Sequence, residues 1–194
     1  MSAPEMNLKW VSALLVDPDY HSVKILSRML EGFGLVNRRV VDSGEAAKTA
    51  LEQEASDIIF CEAKLSDISS AEFIRSLRKA EKKEIRYIPV IVLTGYTQRS
   101  MVEASRDAGA NIVLRKPISV SALYDRLAWV AKNTRQFVEM DAYIGPDRRF
   151  KNAGLPGGVG RRATDLNGEV GNQAEPNMSQ DEIDSMIKPM KVDL

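Results

Sequence analysis

The chain is short of several residue types that would open other functions to it. It has one cysteine, Cys61, and one histidine, His21, among 194 residues. A lone thiol excludes an internal disulfide and fits a reducing compartment. No Ser-His-Asp, Cys-His or zinc-ligand spacing occurs, and no glycine-rich loop follows a strand as nucleotide binding requires. Neither sign of charge is in excess, with 27 basic and 27 acidic residues, so a nucleic-acid or membrane surface is not expected. No apolar run reaches membrane-spanning length and no amino-terminal stretch resembles a signal peptide; the expected location is cytoplasmic.

What is present is a series of short apolar runs, each ending in a polar residue. Ala13-Leu14-Leu15-Val16 ends in Asp17. Residues 57–62 end in Glu62, and Pro89-Val90-Ile91-Val92-Leu93 ends in Thr94. Asn111-Ile112-Val113-Leu114-Arg115 is followed by Lys116-Pro117. Helix patterns alternate with these strands at about 20–32, 44–54, 70–80, 97–109 and from Ser119 or Ser121 to about 135. Ser43 and Thr97 are candidate caps, and Gly32, Gly34 and Gly109 are stops. Alternating strands and helices imply an α/β fold, a doubly wound five-stranded parallel sheet covered on both faces. Residues at the carboxyl ends of such strands converge on one crevice.

Leu15-Val16-Asp17, Asp57-Ile58-Ile59-Phe60-Cys61-Glu62, Val92-Leu93-Thr94-Gly95, Asp107-Ala108-Gly109-Ala110 and Lys116-Pro117 together resemble the receiver (CheY-like) domain of bacterial response regulators, over residues 8–135. The resemblance implies a pocket that takes a phosphoryl group from a histidine kinase onto an aspartate. Asp17 then belongs to an acidic, metal-holding pair; its partner position is Pro18, for which Asp19 is the candidate substitute. Lys116 is the charge-neutralising lysine and Thr94 the switch hydroxyl. The phosphoacceptor position is Glu62, whose carboxylate reaches about 1.5 Å further than an aspartate's, a displacement that costs a nucleophile about 100-fold. One expectation is that Glu62 pairs with Lys116 and accepts from Thr94, holding an active-like state without phosphate. The other is that it only balances Lys116. The aromatic that usually follows the threonine switch is replaced by Val113. Tyr96 is read as a surface loop tyrosine, His21 as a solvated helix residue, Cys61 as buried and Asp67 as an ordinary loop acid, with phosphorylation of Asp67 as an alternative.

Beyond the receiver, residues 136–177 are rich in glycine and proline and read as a flexible tail. The tail carries paired arginines, Arg148 and Arg149 after Gly145-Pro146-Asp147, then Arg161 and Arg162. Tails of this kind resemble those after some alphaproteobacterial receivers. Residues 178–188 read as a short amphipathic interaction helix. Ser179 and Glu182 form a capping box, and Ile183, Met186 and Ile187 share one face as partner-binding residues. Ser179-Gln180-Asp181-Glu182-Ile183-Asp184 resembles the amino-terminal peptide of the flagellar switch protein FliM, which docks on a chemotaxis receiver. Docking on this chain's own receiver, or on another, follows as an expectation.

The function expected is a stand-alone, non-phosphorylatable receiver, not an enzyme. It would act as a protein-interaction adaptor in two-component, chemotaxis or motility control, with a histidine kinase, motor or chemotaxis component as partner. No cofactor is expected, and Mg²⁺ only if the acidic pocket is competent. Two alternatives stand: a phosphorylatable receiver using Glu62 or another acid with Mg²⁺, and a cyclic-dinucleotide-responsive receiver using Arg148, Arg149, Arg161 and Arg162.

Overall fold

A computed structural model describes residues 8–132, 137–140, 143–147 and 177–187. The four apolar runs form β1 (Ser12–Val16), β3 (Ile58–Glu62), β4 (Val90–Thr94) and β5 (Ile112–Arg115), and the more polar Asn37–Val41 forms β2. They pair in the order β2-β1-β3-β4-β5, and every pairing is parallel. The chain crosses between them through α1 (Tyr20–Gly32), α2 (Gly44–Gln53), α3 (Ser70–Arg78), α4 (Lys83–Arg86) and α5 (Arg99–Asp107), and α6 (Val120–Lys132) follows β5.

Period-two alternation along the strands sorts the core into two layers. Leu14, Val16, Ile59, Cys61, Val90 and Val92 face α2, α3 and α5. Ala13, Leu15, Phe60, Ile91 and Leu93 face α1 and α6. Each fully buried Leu, Ile or Phe here contributes roughly 1.5–3 kcal/mol relative to exposure. Local chemistry sets the helix starts. The Ser43 hydroxyl accepts from the Ala46 amide, Ser69 and Glu72 form a reciprocal capping box, and Ser119 accepts from Ala122. The helix expected over 70–80 stops at Arg78, and the charged stretch beyond it forms the separate turn α4. Thr97 does not cap α5. Gln98 occupies that position, and the Thr97 hydroxyl donates instead to the Met178 carbonyl.

Within the stretch read as a flexible tail, two short segments are ordered into strands. β6 (Phe137–Met140) and β7 (Tyr143–Pro146) form an antiparallel hairpin packed near α3 and α4. Phe137 stacks against Tyr87 and lies over the Arg78 guanidinium, while Glu139 accepts from Tyr87 and Arg86. Gly109, at φ +101, meets this hairpin closely; a Cβ there would sit 2.7 Å from the Ile144 carbonyl oxygen. Arg78 is almost fully buried and is satisfied by the carbonyls of Arg86, Ile88 and Gly109 and the Asn111 side chain. Burial pushes its pKa down to about 10.

The last described element, α7 (Gln180–Ile187), is capped as its sequence predicts. Ser179 and Glu182 bond reciprocally. Ile183 and Ile187 are buried in the layer that holds α3 and α5, with Met178 and Met186 packed partly against it. Arg148, Arg149, Arg161 and Arg162 lie outside the described residues. Among the described residues no helix is long and apolar enough to cross a membrane.

Candidate functional site

The strand order reverses between β1 and β3, and there the carboxyl ends open a crevice of about 570 Å³. Asp17, Glu62 and Lys116 are among its lining residues, together with the apolar Ile25, Leu26, Met29 and Ile118. Asp17 directly follows β1, Glu62 is the last residue of β3, and Lys116 directly follows β5. The Lys116-Pro117 peptide is cis.

The Lys116 ammonium is the centre of the site. It donates to Asp17 Oδ2 at 2.8 Å, Glu62 Oε2 at 2.6 Å and Ser22 Oγ at 2.6 Å. An ammonium has three N–H donors, so all are taken. Burial works against its charge, but the hydrogen bonds to Asp17 and Glu62, with their negative field, outweigh that penalty. The pKa consequently lies above the ordinary lysine value. Glu62 is equally committed, since its second oxygen accepts from the Ala63 amide at 2.7 Å. The longer side chain folds back over its own backbone and meets the lysine at close range. Ser22, one turn into α1, was not a sequence candidate; a small polar residue in a first helical turn carries no signal of its own.

Two expected contacts are absent, and both have local causes. The Thr94 hydroxyl does not reach Glu62; it accepts from the Tyr96 amide at 3.0 Å within its own loop. Asp19 lines the crevice but does not join the acidic cluster. Its amide donates to Asp17 Oδ1 and its carboxylate accepts from the His21 amide, capping α1. The turn that Pro18 introduces makes Asp19 a helix cap. Tyr96 is exposed and Cys61 buried, as expected; burial pushes the Cys61 thiol well above its ordinary pKa. Asp67 is more than a loop acid, since its two oxygens accept from the Gly44, Glu45 and Ile68 amides. These bonds hold its carboxyl below the usual range.

Asp17 and Asp19 are both engaged by groups of the chain itself. One Asp17 oxygen is held by Lys116 and the other by a backbone amide, the neighbouring acid position is Pro18, and Asp19 is a cap. Among the described residues no group of three or more His, Cys, Asp or Glu side chains is placed to hold a metal ion.

A second site lies on the opposite side of β5, which is an edge strand. Gln180 spans two of its outward backbone groups: its Nε2 donates to the Val113 carbonyl at 3.1 Å and its Oε1 accepts from the Arg115 amide at 2.7 Å. Asp184 pairs with Arg126 of α6. The Met178 amide donates to the Thr97 carbonyl at 2.8 Å, opposite the Thr97 hydroxyl bond. Neither Gln180 nor Arg126 was singled out in the sequence as a contact residue, because each acts on a partner more than 50 positions away.

The chain matches the response regulator receiver domain over residues 13–128. It is 29% identical over 126 residues to the sensory/regulatory protein RpfC of Xanthomonas campestris, covering 63% of this chain and 17% of that one. It thus spans only a small part of that relative's length. A putative response regulator from Chloroflexus aurantiacus superposes with a TM-score of 0.59 at 26% identity, over 63% of this chain and 98% of that one. The receiver domain of the Pseudomonas aeruginosa sensor histidine kinase PA1611 has a magnesium ion coordinated in its active-site cleft. It superposes at 0.56 with 24% identity, over 62% and 98%. With its sheet order, its crevice and its lysine at the end of β5, the chain belongs to the response regulator receiver domain family of two-component signalling.

Proposed function

We propose that this receiver is a protein-interaction adaptor, not an enzyme, whose conformation is set by an internal lysine clamp rather than by phosphorylation. Receiver domains work with histidine kinases and other signalling proteins, and motility or chemotaxis control is the setting that the CheY-like fold suggests for this one. The observation that carries the reading is the saturation of Lys116 by Asp17, Glu62 and Ser22. An incoming phosphoryl group needs a free cationic donor, a free carboxylate oxygen and a metal site. The clamp occupies the first two, and the third lacks its second acid. A single carboxylate also carries less charge than an aspartyl phosphate of about −2. Glu62 therefore acts as the counter-ion of Lys116, and Thr94 stays bonded to its own loop.

The test is intact mass after incubation with acetyl phosphate and Mg²⁺. The reading predicts no gain in wild type. A gain of one phosphoryl group that disappears in Glu62→Ala would make Glu62 an acceptor and overturn it. A gain that persists in Glu62→Ala would place the acceptor elsewhere and overturn it equally.

A further inference from the structure

The lysine clamp takes up the polar groups at the strand ends and leaves a crevice of about 570 Å³ open, a size in the range of small-ligand sites. Its extent follows from α1. Ser22 bonds Lys116, and Ile25, Leu26 and Met29 lie three, four and seven residues further on, so they share the Ser22 face of the helix. At the helical rise, Met29 stands about 10 Å along α1 from Ser22. Ile118, which follows the cis Lys116-Pro117 peptide, lines the same crevice, as does Leu93 of β4. Leu26 and Leu93 are buried, whereas Ile25 exposes 60% and Tyr96 56% of its surface. Large apolar side chains left exposed around one recess, rather than scattered singly, mark a surface that a ligand covers.

The charges choose the kind of ligand. Asp17, Asp19 and Glu62 line the crevice against Lys64 and Lys116, which leaves one carboxylate in excess while His21 is neutral. Lys116 has no donor to spare for an anion. Asp19 has capacity left, since one of its oxygens accepts from the His21 amide and the other is open to a further donor. Tyr96 adds an aromatic face, which attracts a cation and stacks against a ring.

We propose that the crevice is a binding site for a small amphipathic amine, its apolar body lying along Ile25, Met29 and Ile118 and its ammonium meeting Asp19. This inference rests on the clamp reading, because the saturated lysine is what turns the site away from anions. It gives the crevice a ligand of opposite sign to a phosphoryl group, one that binds without releasing Glu62 from Lys116.

The test is an amide-resonance titration of the ¹⁵N-labelled full chain with three probes that share one ring system: tryptamine, the neutral 3-methylindole and the anionic indole-3-acetate. Tryptamine is expected to give saturable shifts at Ile25, Met29 and Ile118 with a Kd below about 1 mM, 3-methylindole to bind more weakly and indole-3-acetate most weakly. Asp19→Asn removes the charge and keeps an equally good helix cap. It is expected to weaken tryptamine about 5-fold and to leave 3-methylindole unchanged. Ile25→Gln, at an exposed position, is expected to weaken both. No saturable shift with tryptamine, equal or tighter binding of the acid, or a tryptamine affinity unchanged in either variant would overturn the proposal. Shifts along α1 that follow protein concentration in the absence of any probe would assign this face to a second copy, and would overturn it as well. Beryllofluoride and Mg²⁺ added to the same sample separate the two readings. Saturable shifts there break the clamp, whereas their absence beside a silent tryptamine titration breaks the amine assignment alone.

Discussion

At the scale of single residues, the side-chain length of Glu62 decides its contacts in the pocket. Glu62 reaches far enough to bind Lys116 with one oxygen and the Ala63 amide with the other. Removing its charge leaves the part-buried Lys116 with one counter-charge fewer, though the amide oxygen can still accept, so Glu62→Gln is expected to cost about 1–3 kcal/mol in urea unfolding. The clamp also has a pH signature. The Lys116 pKa is raised in the fold, so its contribution is fully present below the ordinary value of 10.5 and is lost as pH rises through the folded value. The unfolding free-energy difference between wild type and Lys116→Met should therefore shrink above pH 10.5, and a difference constant across that range would contradict the clamp. Arg78 is the other residue with large leverage. Arg78→Leu orphans the carbonyls of Arg86, Ile88 and Gly109 in the interior and is expected to cost about 3 kcal/mol or more by denaturant titration. The composition of the apolar runs and the positions of Asp17, Glu62, Thr94 and Lys116 made the pocket legible in sequence. Ser22 and the diversion of Asp19 into a cap were not, because both depend on where the loop after β1 turns.

At the scale of elements, the five strands and their helices could be read from periodicity, because each apolar run is bounded by a cap or a glycine. The hairpin could not. Phe137 to Met140 is only four residues long and partly exposed, and its partners Tyr87, Arg86 and Arg78 are more than 50 positions earlier. Its place is fixed by Gly109 and Gly145, which approach so closely that a Cβ on Gly145 would lie 2.9 Å from Gly109 Cα. Gly145→Ala is therefore expected to speed hydrogen exchange at the β6 and β7 amides while leaving β1, β3 and β4 protected. Unchanged exchange in the hairpin would show that the close approach does not hold it. The terminal helix lies between these cases. Its cap and apolar stripe were plain in sequence, whereas its site on β5 emerges only once that strand is seen to be an edge.

At the scale of the whole molecule, the receiver carries two sites on either side of β5: a crevice whose charges satisfy one another and a groove filled by the chain's own helix. Backbone connects them directly. Lys116 follows Arg115, whose amide is bound by Gln180, and the Lys116 amide donates to the Thr94 carbonyl at 2.8 Å. Both sites are thus occupied from within, consistent with a module that is held in one conformation and read by its partners. The central claim, that the crevice does not take a phosphoryl group, is tested most directly by the amide spectrum of ¹⁵N-labelled protein titrated with beryllofluoride and Mg²⁺, a mimic of the bound phosphoryl group. The account predicts no saturable shift at Thr94, Gly95 or Lys116. Saturable shifts at those three amides would show that the lysine releases its internal partners for an anion, and would contradict it.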